Sequence, residues 1–171
     1  EPHRGYTHGF ADSKGLECDQ INVPKFLPPS KEIKEDICEY FAEIEHIDDQ
    51  IGKIMQTLEK IGKAENTFVI FTSDNGMPFS RSKATLYDYG TRMPFIVWWG
   101  KNIEGDRQVN DLISFTDIAP TILDVAGIES SEEMDGRSIL PYLDSKNIIE
   151  RRHSIYMYRS RHGFYPDMHG K

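Results

Sequence analysis

From Ser30 onward an apolar side chain recurs every three or four positions: Ile33, Ile37, Phe41, Ile44, Ile47, Ile51, Ile54, Leu58 and Ile61. That spacing keeps one stripe on one face and predicts a long amphipathic helix. Ser30 is placed to cap its start and Gly62 to close its end. The pattern then changes. Phe68-Val69-Ile70-Phe71 runs apolar without alternation between Thr67 and Thr72-Ser73, which suits a strand buried on both faces of a parallel sheet. Pro94-Phe95-Ile96-Val97-Trp98-Trp99-Gly100 reads as a second such strand. A short helix is expected from Thr116 or Asp117 to Gly127, with Pro120 tolerated in its first turn. Ser138 to Leu143 reads as one more helical turn, and Ser154 to Tyr158 as a further strand. Residues 1–30 show no period and hold several prolines and glycines, a loop pattern; residues 77–93 are polar and loop-like. The alternation of helix and strand is an α/β pattern.

Composition sets limits on function. The chain has 171 residues, 38% hydrophobic and 28% charged, enough apolar material for a core. No stretch approaches 18 consecutive apolar residues, so no membrane span is expected. The net charge of −8 is opposite to that of a general nucleic-acid binder. An anion handled by this protein has to be met by basic groups close to it. Cys18 and Cys38 are too few for a disulfide scaffold and lack zinc-site spacing; they pair or both stay free. There is no apolar signal-peptide core in EPHRGYTHGF, no initiator Met and no Asn-x-Ser/Thr sequon.

Three clusters carry candidate chemistry. Asp74-Asn75-Gly76 follows the first strand, where ligands sit in open α/β sheets. A carboxylate beside an amide carbonyl offers two hard oxygens suited to Ca2+ or Mg2+, with Gly76 letting the backbone turn sharply. The competing explanation is a hairpin turn, although Met77-Pro78-Phe79-Ser80-Arg81 starts no alternating return strand. Ser80-Arg81-Ser82-Lys83 follows; its two cations could grip a tetrahedral oxyanion or lie solvated on a loop. His3 and Arg4, with His8, form a second basic cluster in which a histidine could donate a hydrogen bond or a proton. Arg161-His162 is a weaker pair of the same kind.

These segments carry a resemblance. Phe68 to Gly76 resembles the metal-binding strand end of the type I sulfatases, within the alkaline-phosphatase-like superfamily. Pro2-His3-Arg4, Asp48-Asp49-Gln50-Ile51-Gly52, Tyr89-Gly90-Thr91-Arg92-Met93-Pro94, Asp117 to Leu123 and Gly136 to Pro141 are similar to further sulfatase segments in the same order. Pro2-His3-Arg4 with Gly76 to Phe79 and Leu86-Tyr87 is most similar to the N-sulfoglucosamine sulfohydrolase branch. The resemblance implies an α/β fold with helices packed on a mostly parallel sheet. It implies that Asp74 and Asn75 ligate Ca2+, that Lys83 binds the sulfate, and that His3 contacts the sulfate and the leaving group. Arg161 and His162 become candidate substrate contacts, and the partner a sulfated saccharide rather than nucleic acid or membrane.

The departures from the family pattern set further expectations. The family nucleophile is a formylglycine made within a Cys/Ser-x-Pro-x-Arg motif, and neither Cys18 nor Cys38 opens one. Leu27-Pro28-Pro29-Ser30-Lys31 is the nearest string, with Leu at the nucleophile position. The paired Asp ligands expected earlier in the family are not found either. Residues 1–171 are therefore expected to be part of a sulfatase catalytic domain, without the nucleophile half or the C-terminal subdomain and inactive alone. The parent is expected outside the cytoplasm: periplasmic, secreted or lysosomal. A phosphomonoesterase or phosphodiesterase of the same superfamily, and a non-catalytic metal- or carbohydrate-binding module, are the alternatives.

Overall fold

A computed structural model describes residues 9–143 and 152–159. The chain forms two compact units. The first contains described residues 9–61, 72–95 and 158–159, and the second 62–71, 96–143 and 152–157.

In the first unit the dominant element is α2, Lys31–Lys60, preceded by the short α1, Phe10–Ser13. The predicted caps of α2 are both present. Ser30 Oγ accepts from the Ile33 amide at 3.4 Å, satisfying one of the free amides of the first turn. Gly62 takes φ +66°, the left-handed conformation that ends a helix without Cβ strain. Full burial is confined to the front of the apolar stripe. Ile37, Cys38 and Ala42 are buried, whereas Phe41, Ile44, Ile54 and Ile61 are exposed among the described residues.

Two apolar clusters hold the front of α2. Ala11, Cys38 and Ala42 pack with Phe10, Leu16, Cys18 and Ile21. Leu27, Ile37 and Phe79 pack with Val23, Phe26, Ile33, Tyr40 and Met77. Residues 1–30 have a loop pattern, yet within them α1 and a 3₁₀ turn at Cys18–Gln20 form. Cys18 and Cys38 are bonded as a disulfide across 20 residues, which settles the open question of their pairing. α1 is also tied to α2 by Glu39, whose carboxylate accepts from the Gly9 and Ala11 amides at 2.8 and 2.9 Å.

The second unit contains most of β1, Val69–Thr72, and β2, Phe95–Trp98, paired as a two-stranded sheet. Both strands fall where the apolar runs predict. Burial on both faces does not follow: every β1 residue is half-buried, and Ile96 in β2 is 59% exposed. The described residues supply no third strand to complete the sheet. Phe68 and Trp99 meet edge to face at 5.5 Å beside the pair. Glu65 fixes the turn after β2 by accepting from the Lys101 amide. Residues 154–158, read as a strand, have no regular structure, and Tyr156 is 89% exposed. Apolar and aromatic content favours a strand only where a neighbouring strand or face receives it.

The second unit is organised on one buried carboxylate. Asp117 ends a 3₁₀ turn, Phe115–Asp117, that leads into α4, Ile118–Val125. It was read as a helix start, and it does form a capping box with Ser114. It does more than that. Its Oδ2 accepts from the Ser114 amide at 2.7 Å and Arg152 Nη1 at 2.6 Å. Its Oδ1 accepts from the Arg137 amide at 3.0 Å and Arg152 Nη2 at 2.8 Å. Asp117 is 2% exposed. Burial pushes its carboxyl pKa up, but the Arg152 hydrogen bonds and the Arg137 and Ser114 amides outweigh that, and the net shift is down. Thr121 Oγ1 donates to the Asp117 carbonyl and accepts from the Ile139 amide, docking the chain before α5, Leu140–Leu143. Gly136 is required there, because a Cβ would lie 1.9 Å from the Thr116 carbonyl oxygen.

Reducing the disulfide, or replacing both cysteines with serine, should lower unfolding free energy by about 3 kcal/mol, the loop-closure value for a ring of this size. Urea midpoints with and without reductant measure this; coincident curves would contradict it. Asp117→Asn should cost roughly 3 kcal/mol at neutral pH by breaking a buried charge pair. A depressed carboxylate pKa contributes stability that is complete above the unfolded value of about 3.9 and lost as pH falls through the folded value. The gap between the wild type and Asp117→Asn should therefore be constant from pH 7 down to about 4 and begin to narrow below it, as read from urea midpoints.

Candidate functional site

Asp74 and Asn75 lie just beyond β1, separated from Thr72 by Ser73. Ser73 Oγ donates to the Asn75 carbonyl at 2.8 Å, which shapes the turn. Asn75 Nδ2 donates to the Gly76 carbonyl at 3.0 Å. With its amide nitrogen so engaged, Asn75 keeps Oδ1 as the atom it can offer a cation. Asp74 is exposed and Asn75 half-buried.

The segment after the turn folds back on it. The Phe79 and Lys83 amides both donate to the Met77 carbonyl, at 2.8 and 3.1 Å. Lys83 is thus returned to a position two residues beyond Asn75. Phe79 is buried against Leu27 and Ile37, and its ring meets Tyr40 edge to face at 6.0 Å. The far end of the loop closes through backbone-to-backbone contact. A Cβ on Gly76 would lie 2.1 Å from the Tyr89 carbonyl oxygen, and one on Gly90 would lie 2.3 Å from the Ser82 carbonyl oxygen. Asn75-Gly76, Ser82-Lys83 and Tyr89-Gly90 are therefore successive neighbours. Gly76 was expected for a sharp turn, but it has no positive φ; its role is this close approach.

The Ser80–Lys83 segment is only partly the solvated loop it could have been. Ser80 and Arg81 are exposed, Lys83 is half-buried, and Ser82 is fully buried. Ser82 Oγ has no hydrogen-bond partner among the described residues, a cost of about 1–3 kcal/mol. Arg81 and Ala84 both take positive φ, +59° and +58°, a conformation that disfavours side chains larger than glycine. Arg81 is the other cation of that segment. Its guanidinium lies over the Tyr87 ring, 5.4 Å from the centroid. Tyr87 itself precedes α3, Asp88–Thr91, a short helix inside the segment read as loop.

Of the six residues singled out, Asp74, Asn75 and Lys83 fall in one loop system. His3, Arg161 and His162 lie outside the described residues. Asp74 and Asn75 fit a hard cation in the kind of donor they present. Among the described residues, no group of three or more His, Cys, Asp or Glu gathers as a complete metal site.

The sulfatase family model matches residues 3–128. The chain is 35% identical over 127 residues to an ulvan-active sulfatase of Formosa agariphila, covering 74% of this chain and 21% of that protein. It is 32% identical over 136 residues to human N-sulphoglucosamine sulphohydrolase, covering 74% of this chain and 27% of that protein. A solved structure in complex with its substrate, D-glucosamine-2-N,6-O-disulfate, superimposes with a TM-score of 0.62 at 30% identity, over 70% of this chain and 26% of that one. The chain thus spans about a fifth to a quarter of the length of these relatives.

The loop closure yields a prediction. Gly76→Ala should destabilise the first unit by about 3 kcal/mol, the upper range for forced overpacking. Hydrogen exchange of the Lys83 and Thr85 amides should accelerate with it. Unchanged stability and protection would contradict the close approach at Gly76.

Proposed function

This chain belongs to the sulfatase family, and from that premise we propose that the protein carrying it removes sulfate from a sulfated saccharide, as an O-ester or an N-sulfate. The observation that carries the proposal is the Asp74-Asn75 turn with the Lys83 loop folded back beside it. In this reading Asp74 and Asn75 supply oxygens to a Ca2+ ion, and further ligands come from elsewhere, since 6–8 oxygens are usual. The ion would supply Lewis-acid polarisation of a sulfate oxygen. A formylglycine hydrate, held by a segment outside these 171 residues, would supply the nucleophile.

The residues of this chain then have defined tasks. The Lys83 ammonium, half-buried and tethered through its backbone to Met77, offsets negative charge that grows as the bond to sulfur breaks. A fixed cation in a partly dry site contributes more than the same charge in water. His3 contacts the sulfate and gives a hydrogen bond or proton to the departing oxygen or nitrogen. Arg161 and His162 contact the sugar. The mostly parallel sheet of the alkaline-phosphatase-like fold, with residues 1–171 as one part of the catalytic domain, belongs to the same proposal. The Cys18–Cys38 disulfide supports an oxidising, extracytoplasmic location. No helix among the described residues is long and apolar enough to cross a membrane.

The test is sulfate release by the full-length protein from sulfated mono- and oligosaccharides, with the 171-residue chain alone expected to be inactive. Lys83→Ala should lower kcat/KM by roughly 10²-fold or more, the cost of one transition-state donor. Wild-type kinetics for that variant would remove the role assigned to Lys83.

A further inference from the structure

The Lys83 loop carries a second feature that anion binding by Lys83 leaves unused. Arg81 occupies a left-handed backbone position, φ +59°. Glycine or asparagine takes that conformation at lower cost, so the turn by itself gives no reason for an arginine. The side chain does have a defined place, over the Tyr87 ring at 5.4 Å. Both residues are accessible: Arg81 is exposed and Tyr87 is 57% exposed, with Leu86 beside it at 54%. On a chain of net charge −8 this is a cation placed against an aromatic ring at the surface. It lies two residues from Lys83 in the chain, with the buried Ser82 between them.

We infer that Arg81 and Tyr87 form an outer saccharide subsite, which receives the sugar adjoining the one being desulfated. This rests on the sulfatase reading above. The exposed part of the Tyr87 ring supplies an apolar surface for a sugar ring at small conformational cost. Arg81, held over that ring by cation–π attraction, presents a planar fork of donors suited to a sulfate or carboxylate on the same sugar. A polyanionic substrate is repelled by the overall charge only within a screening length of ~10 Å at 0.1 M salt. A local cation therefore decides whether such a sugar is held. The subsite touches no reacting atom, so it acts on binding of extended substrates and leaves the chemical step alone.

The experiment compares sulfated tetrasaccharides from heparin, chondroitin sulfate and ulvan with the matching sulfated monosaccharides, using the full-length protein. For the tetrasaccharide that the wild type turns over, Tyr87→Ala and Arg81→Ala should each raise KM about tenfold with kcat nearly unchanged, the signature of lost uniform binding. Tyr87→Phe should keep the wild-type KM. Arg81→Ala should also weaken the dependence of KM on salt. Monosaccharide kinetics should stay at wild-type values in all variants, which also shows that the variants are folded. Wild-type KM on the tetrasaccharide in both alanine variants, or equal losses on both substrate sizes, would overturn the subsite while leaving the sulfatase reading intact. A wild type that releases sulfate from none of the substrates would overturn the sulfatase reading and the subsite with it.

Discussion

The candidate site depends on backbone meeting backbone at two glycines. Gly76 lies against the Tyr89 carbonyl and Gly90 against the Ser82 carbonyl, each too close to admit a Cβ. Contacts of this kind fix position more tightly than side-chain contacts, because no rotamer change can relax them. They set where Asn75 stands relative to Lys83, and where Tyr87 stands relative to Arg81. Phe79 and Met77 then fasten the middle of the same loop to the front of α2. The loop is thus held by its closing contacts and by an apolar anchor. This anchors the loop while its polar residues remain accessible.

That rigidity has a local cost. Arg81 and Ala84 sit in the left-handed region, and Ser82 buries a hydroxyl without a partner among the described residues. Three unfavourable features within four residues contrast with α2, where caps and spacing all agree. Strain concentrated in this way is common where a fold must aim particular groups. Here it accompanies a half-buried Lys83 and a surface-stacked Arg81 on either side of a buried residue. A relaxed loop with both cations in water would leave their separation undefined.

The elements legible in the sequence are those with local signals. The 3.6-residue period gave α2 and its caps, and unbroken apolar runs gave β1 and β2. Asp117 and Gly127 bracketed α4, and Ser138 to Leu143 contained α5. The Asp74-Asn75 turn and the basic loop after it were legible as candidates because each is a short string. What escaped depends on distant partners. Asp117 looked like a cap, and nothing local announces Arg152, 35 residues on. The pairing of Cys18 with Cys38 needs α1 and α2 in place, so spacing alone left it open. Gly76 was noticed for conformational freedom, whereas its importance lies in Tyr89, which only the folded loop brings near. Ser154 to Tyr158 failed for the opposite reason: its composition suits a strand, but the described residues provide none to pair with.

The Asp117 network extends past the segment that the family model matches. The family match stops at residue 128, yet Asp117, inside the match, accepts from the Arg137 amide and the Arg152 guanidinium beyond it. Gly136 approaches the Thr116 carbonyl, and the Ile139 amide donates to Thr121. Residues 136–139 and 152 therefore complete the burial and hydrogen bonding of a carboxylate that the matched segment supplies. A charged group that is 2% exposed is tolerable only with its partners present. The second unit cannot be cut at residue 128 without stranding that charge, so its structural boundary lies beyond the end of the family-model match.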